Sequence, residues 1–188
     1  MIEYPLAKTG TPSPLNTTGN TERPSDDVAN LVLRDFRVAL QSARAHFAQI
    51  RSCTGLTGAQ LWALSEVAKT PDLRLTSLAR RLNVHQSTAS NLVNDLLEKQ
   101  LVRKVADQTD RRSINLQATP EGISALMSSP MPFEGVLPAA LRDLSPDELR
   151  ALQRALRPLM RRIGHASAEQ YAFTPLSTLF DAAAPPKD

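Results

Sequence analysis

The feature that most constrains this chain is a change of hydrophobic period near residue 100. From residue 57 to 99 the apolar residues recur at helical spacing, and from 101 to 118 they alternate every second residue. Leu61, Leu64, Val67 and Ala68 mark one helix, which stops before Pro71. Leu75, Leu78, Ala79 and Leu82 mark a second. Asn83 and Val84 make a tight turn, because Asn is among the few residues that tolerate left-handed geometry. A third helix runs from about Gln86 to Lys99. Residues 101–105 and 113–118 then read as two strands, with Ile114, Leu116 and Ala118 on one face. A polar, basic tip from Asp107 to Arg112 joins them. Helix, helix, turn, helix and ribbon, in that order, predict a winged helix-turn-helix that is mostly α with a small β-hairpin wing.

Helices flank this centre. One is expected from about Asp26 to Cys53, with Ser25 as N-cap, Asp26 and Asp27 complementing the dipole, and Gly55 as the stop. Its length suggests that part of it packs against another chain. Thr57 to Gln60 fits a capping box. Thr119-Pro120 starts a further helix, which must break near Ser128 to Pro132. A short helix at about 133–144 precedes a last amphipathic one to about Gly164. Its Leu149, Leu152, Leu156, Leu159, Met160 and Ile163 are expected to point inward. Residues 1–24, rich in Pro, read as an extended arm, and 166–188 as a tail. Within that tail Leu176, Leu179 and Phe180 form an amphipathic piece able to dock. Residues 25–165 therefore form one domain, with the winged part at 57–118.

The 188 residues suffice for one domain with tails, and 41% hydrophobic residues allow a packed core. Aromatics are 4%, so that core is aliphatic. No apolar run is long enough for a membrane span, and no secretory signal is read, so the expected location is cytoplasmic. Cys53 alone excludes a disulfide framework. With histidines only at 46, 85 and 165, a metal centre has little material. No glycine-rich phosphate loop, Gly-x-Ser-x-Gly or His-Glu-x-x-His occurs, so neither catalysis nor a cofactor is expected.

The third helix of the centre has two faces. Ala89, Leu92, Val93, Leu96 and Leu97 cluster on one side, and Ser87, Asn91, Asn94 and Glu98 lie opposite, with Thr88 and Ser90 at the flanks. Asn can pair with adenine, and Ser or Thr can contact phosphate or base. No Lys or Arg occurs between His85 and Glu98. Phosphate affinity must come from neighbours: Arg74, Arg80, Arg81, Lys99, Arg103, Lys104, Arg111 and Arg112. Residues 57–118 hold nine Lys and Arg against six Asp and Glu, which concentrates the basic excess there. At the ribbon tip Asp110 can hold Arg112 and present an ordered guanidinium to a narrow minor groove. The alternative is a winged adaptor that binds a protein partner instead of DNA, which the uncharged helix keeps open.

At these residues the chain resembles the MarR family of transcription regulators. The similarity covers about Val28 to Gly164. It is strongest in Leu-Ala-Arg-Arg-Leu-Asn-Val (78–84), Ser-Thr-Ala-Ser-Asn-Leu-Val-Asn-Asp-Leu (87–96), the wing Asp110-Arg111-Arg112-Ser113, and 116–122. The resemblance implies a homodimer on palindromic double-stranded DNA, in many members released by a small aromatic or phenolic anion or by cysteine oxidation. Asp110 and Arg112 match the family's wing Asp and Arg. Ser87, Thr88, Ser90, Asn91 and Asn94 match groove-facing positions. Helices 26–53 and 119–164 would join the subunits. Asn83 and Gln100 stand where Gly is common, and Pro130 and Pro132 break a helix that is usually long. Candidate linings of an effector pocket are Arg44, His46, Phe47, Arg51 and Trp62, since an arginine beside an aromatic suits an aromatic carboxylate. Cys53, near Arg51, is a candidate redox site.

Overall fold

Helix α1 spans Pro24–Thr54, and Gly55 stops it in left-handed geometry, with its amide donating to Arg51 O at 2.9 Å. The computed structural model describes residues 24–106, 114–163 and 172–181. The chain divides into two compact units, 1–36 and 37–188. The described part of the first is the opening of α1, where Val28, Leu31, Val32, Leu33 and Phe36 are all exposed. In the second unit the remainder of α1 turns Ala43, Phe47 and Ile50 into the core.

Helix α2 (Gly58–Lys69) begins with the expected capping box. Gln60 N donates to Thr57 Oγ1 at 3.1 Å, and Thr57 N donates to Gln60 Oε1 at 3.0 Å. Two of the orphan amides of the helix start are thereby satisfied. Leu61, Leu64 and Val67 of α2 form the centre of the core. Helix α3 (Leu75–Leu82) contributes Leu78 and Leu82, and α4 (Gln86–Glu98) contributes Val93 and Leu96.

The wing departs from the two-stranded expectation. Strands β2 (Val102–Ala106) and β3 (Ile114–Ala118) pair antiparallel, with Val102 opposite Ala118 and Lys104 opposite Leu116. A two-residue strand, β1 (Leu73–Arg74), adds to the other edge of β3, and the sheet order is β1-β3-β2. Leu73 lies opposite Leu116, so the third strand both buries an apolar side chain and pairs an otherwise open edge. Asp110, Arg111 and Arg112 lie outside the described residues.

Helix α5 (Pro120–Met127) starts at the Thr119 cap with Pro at its first position. The break follows as expected, and α6 (Val136–Asp143) comes after it. Gly135 precedes α6 with φ 99°, and a Cβ there would lie 2.7 Å from the Phe47 ring, so both backbone and space demand glycine. Helix α7 (Pro146–Ile163) has its own capping box between Ser145 and Glu148. The Ser145 hydroxyl, then its amide, hold the Glu148 carboxyl below the usual value.

Among the described residues the stripe expected to point inward on α7 is not covered. Leu149, Leu152, Leu159, Met160 and Ile163 are exposed. The amphipathic pattern is real, but none of the described elements of the same chain covers it. The tail piece does dock: α8 (Leu176–Asp181) packs Leu176 and Phe180 against the core, while Leu179 stays exposed.

Candidate nucleic-acid interface

Helix α4 is held from beneath. Ala89, Val93 and Leu96 are buried, Leu92 and Leu97 are half-buried, and the helix packs on α2 and α3. Its outer face is then fixed by the 3.6-residue period. Ser87, Asn91, Asn94 and Glu98 are exposed, and Thr88 and Ser90 are half-buried between the faces. The turn before it is made by Asn83 at φ 52°, where Val84 N donates to Ala79 O at 3.1 Å. His85 stands at the N-cap without a side-chain bond, so its side chain does not cap the first turn of α4.

Asp95, an acid on a helix that would face a polyanion, has an internal task. Its Oδ2 accepts from Gln60 Nε2 at 2.8 Å. Gln60 is buried, and its Oε1 already receives the Thr57 amide. One side chain therefore closes the start of α2 and ties that start to α4. Sequence spacing exposes the capping half of this arrangement but not the half that crosses 35 residues. Gln60→Leu is expected to lower stability by about 1–2 kcal/mol, because it orphans the Thr57 amide and strips a donor from Asp95. Urea unfolding of the single variants and of Gln60→Leu/Asp95→Asn should show a double loss smaller than the sum.

The candidate cations Arg74, Arg80, Arg81, Lys99, Arg103 and Lys104 are all exposed. They are not equivalent. Arg81 donates to Thr70 Oγ1 at 2.7 Å and lies 3.4 Å from Glu66, which partly neutralises it. Arg103 donates to Gln117 Oε1 through Nη2 at 2.8 Å and Nε at 3.2 Å. Gln117 Nε2 in turn donates to Asp72 Oδ1 at 2.8 Å. Asp72 itself is left-handed at φ 61°. The relay orders the Arg103 guanidinium without cancelling its charge, since a neutral amide accepts from it. Gln117 and Asp72 were not among the expected site residues; the pairing of Arg103 with Gln117 across β2 and β3 reveals the first, and the left-handed turn at Asp72 brings in the second.

Two clefts among the described residues each take one of the five pocket candidates, Arg44 in one and Trp62 in the other. Phe47 belongs to the core, against Phe180 with ring centroids 6.0 Å apart. His46 is buried, with Nε2 2.8 Å from Pro132 O. Arg44 opens on a cleft of about 470 Å³ with Arg37, Leu40, Gln41 and Phe180. Trp62 lies in another, of about 530 Å³, with Glu66, Arg81, Glu134, Pro138 and Arg142. In that second cleft Arg142 pairs with the buried Glu134 and Arg81 with Glu66, so its cations are already matched. Arg51 and Cys53 are exposed near the end of α1. Among the described residues no group of His, Cys, Asp or Glu gathers as metal ligands would, and no helix is long and apolar enough to cross a membrane.

Three packed helices, an Asn-made turn and a ribbon running on from the third helix define a winged helix-turn-helix protein. Residues 54–113 match a model of the MarR family. The HTH-type transcriptional repressor MdtR of Bacillus subtilis (strain 168) is 28% identical over 98 residues, which are 50% of this chain and 63% of the repressor. A candidate transcriptional regulatory protein for the hcr operon of Thauera aromatica is 35% identical over 77 residues, 41% of this chain and 46% of that protein. The matched stretches thus span between about half and two thirds of the curated relatives. Among solved structures, the MarR family regulator Sco3205 from Streptomyces coelicolor, in complex with DNA, superposes with a TM-score of 0.50 at 23% identity. That match covers 75% of this chain and 91% of the other. It shares the fold.

Proposed function

We propose that the protein is a sequence-specific regulator of transcription that binds double-stranded DNA as a homodimer, acting as a repressor on a palindromic operator. The observation that carries this reading is the outer face of α4: Ser87, Asn91 and Asn94 are exposed side by side on a helix whose opposite face is locked into the core. Small amides and hydroxyls read base edges, and the charge that binds phosphate sits on neighbouring elements. Arg80, Lys99, Lys104 and the ordered Arg103 supply it here, with Asp110, Arg111 and Arg112 at the wing tip. The exposed apolar faces of α1 and α7 support a second copy as partner. For the small-molecule control of such a regulator, the Arg44 cleft fits an aromatic carboxylate or phenolate better than the Trp62 cleft. Arg37 and Arg44 make no ion pair among the described residues, and Leu40 and Phe180 provide apolar wall.

The test is selection of bound duplexes from a random pool by the purified protein. A palindrome with half-sites about one helical turn apart is expected. On the selected duplex, Asn91→Ala should relax preference at one position in each half-site by about 1–3 kcal/mol. Arg112→Ala should weaken binding and lower the salt slope by about one. Benzoate should weaken the wild-type complex and leave the Arg44→Ala complex unaffected. No enrichment from the pool at low salt would sink the reading and leave a protein-binding winged adaptor in its place.

A further inference from the structure

Residues 172–181 run from the start of α4 to the start of α2. Ser177, 2% exposed, accepts the Ala59 amide at 3.0 Å through its hydroxyl, so a residue 118 positions away caps the first turn of α2. Phe180 lies against Phe47, and Leu176 against the core. The approach is close enough to require Gly58, where a Cβ would fall 2.9 Å from that of Ser177 and 2.3 Å from the Phe47 ring. At the other end of the segment the Phe173 ring rests on the His85 imidazole, with centroids 4.7 Å apart, and is itself 42% exposed.

His85 is the residue that opens α4. Its side chain makes no cap there, and the first-turn amides of a helix, which have no intrahelical partner, are where a phosphate is bound when a helix end meets DNA. The segment sets an apolar ring against the residue at that helix end, and such a ring can offer a phosphate nothing. The segment's contacts include the Ser177 hydrogen bond, the packing of a six-residue helix and the Phe173 and Phe180 rings, and a short terminal element of this size is the kind that opens locally before the core does.

We propose that residues 172–181 form a strap that competes with DNA for the N-terminal end of α4 and holds affinity down while docked. The proposal rests on the reading of α4 as the DNA-contacting helix. Release of the strap exposes His85 and the start of α4, and DNA binding in turn pulls the strap away.

The experiment is a titration of the pool-selected duplex, or of a random 30-base-pair duplex at low salt, against the full chain and Phe173→Ala. Amide exchange at Ala59 is followed in parallel. Phe173→Ala is expected to bind about three- to tenfold more tightly, the fold-change that one aromatic contact represents. The gain should vanish in a His85→Ala background. Added duplex should speed exchange at Ala59 in the wild-type chain, as Ser177→Ala does without duplex. If the full chain binds but Phe173→Ala binds equally or more weakly, and Ala59 stays protected on the duplex, the strap proposal is overturned while the DNA reading stands. If neither chain binds any duplex, the DNA reading falls and takes the strap with it.

Discussion

Gly122→Ala is expected to destabilise the protein by about 2–3 kcal/mol, although alanine is the better helix former. Gly122 lies within α5, where propensity alone would favour alanine by about 1 kcal/mol. Space decides against it. A Cβ at this position would sit 2.2 Å from the carbonyl oxygen of Leu101 and 3.1 Å from Leu64 Cδ1. The carbonyl is backbone and already accepts the Thr119 amide at 3.0 Å, so it cannot swing aside without breaking the junction between the end of α4 and the start of α5. The Thr119 hydroxyl ties that junction once more, donating to Gln100 O at 2.8 Å, and caps α5 by accepting the Gly122 amide at 3.1 Å. The midpoint of urea unfolding, compared with wild type at equal slope, measures the loss. Gly55→Asn is the control. Gly55 is left-handed, and a Cβ there would meet nothing within 4 Å, so Asn should change the midpoint little.

Leu152→Glu combined with Leu159→Glu is expected to abolish self-association and to cut affinity for a palindromic duplex at least a hundredfold. Both leucines lie on the exposed stripe of α7, which supplies no buried residue to the core formed by the described residues. An unpaired charge buried in a subunit interface costs several kcal/mol, whereas two glutamates on a solvated helix cost almost nothing. The variant should thus keep its helical content and its unfolding slope while sedimenting as a monomer. Each half-site would then be held by one winged domain, without the gain in effective concentration that linkage gives. A double variant that still sediments as a dimer would remove α7 from the interface.

Much of the fold is written in local signals. Thr57 with Gln60, Thr119 with Pro120, and Asn83 at the turn each announce a boundary within four residues, and each boundary falls there. Gln100, which stands where Gly is common in the family the sequence resembles, is left-handed at φ 59°. The parts that sequence spacing does not expose are those with distant partners. Strand β1 is two residues long and exists only because β3 lies beside it, so it carries no period of its own. The apolar stripe of α7 says that something covers it but not what. Asp95 looks like a misplaced charge until Gln60 is found beneath it, and Ser177 has no visible purpose until Ala59 is. At the site itself the two faces of α4 were legible because helical period alone separates them. The relay from Arg103 through Gln117 to Asp72 was not, since strand register sets one link and a left-handed turn the other.

The triple Thr57, Gln60 and Asp95 has a consequence for how sequences of this kind can drift. Gln60 uses its carbonyl oxygen on one neighbour and its amide nitrogen on the other. Glutamate could still accept from Thr57 but would set a second carboxylate against Asp95, and no hydrocarbon side chain serves either neighbour. Substitution at position 60 therefore costs stability unless 95, 57 or both change with it. Across relatives these three positions should vary as a set, and a sequence with an altered residue at 60 beside an unaltered Thr and Asp should be rare.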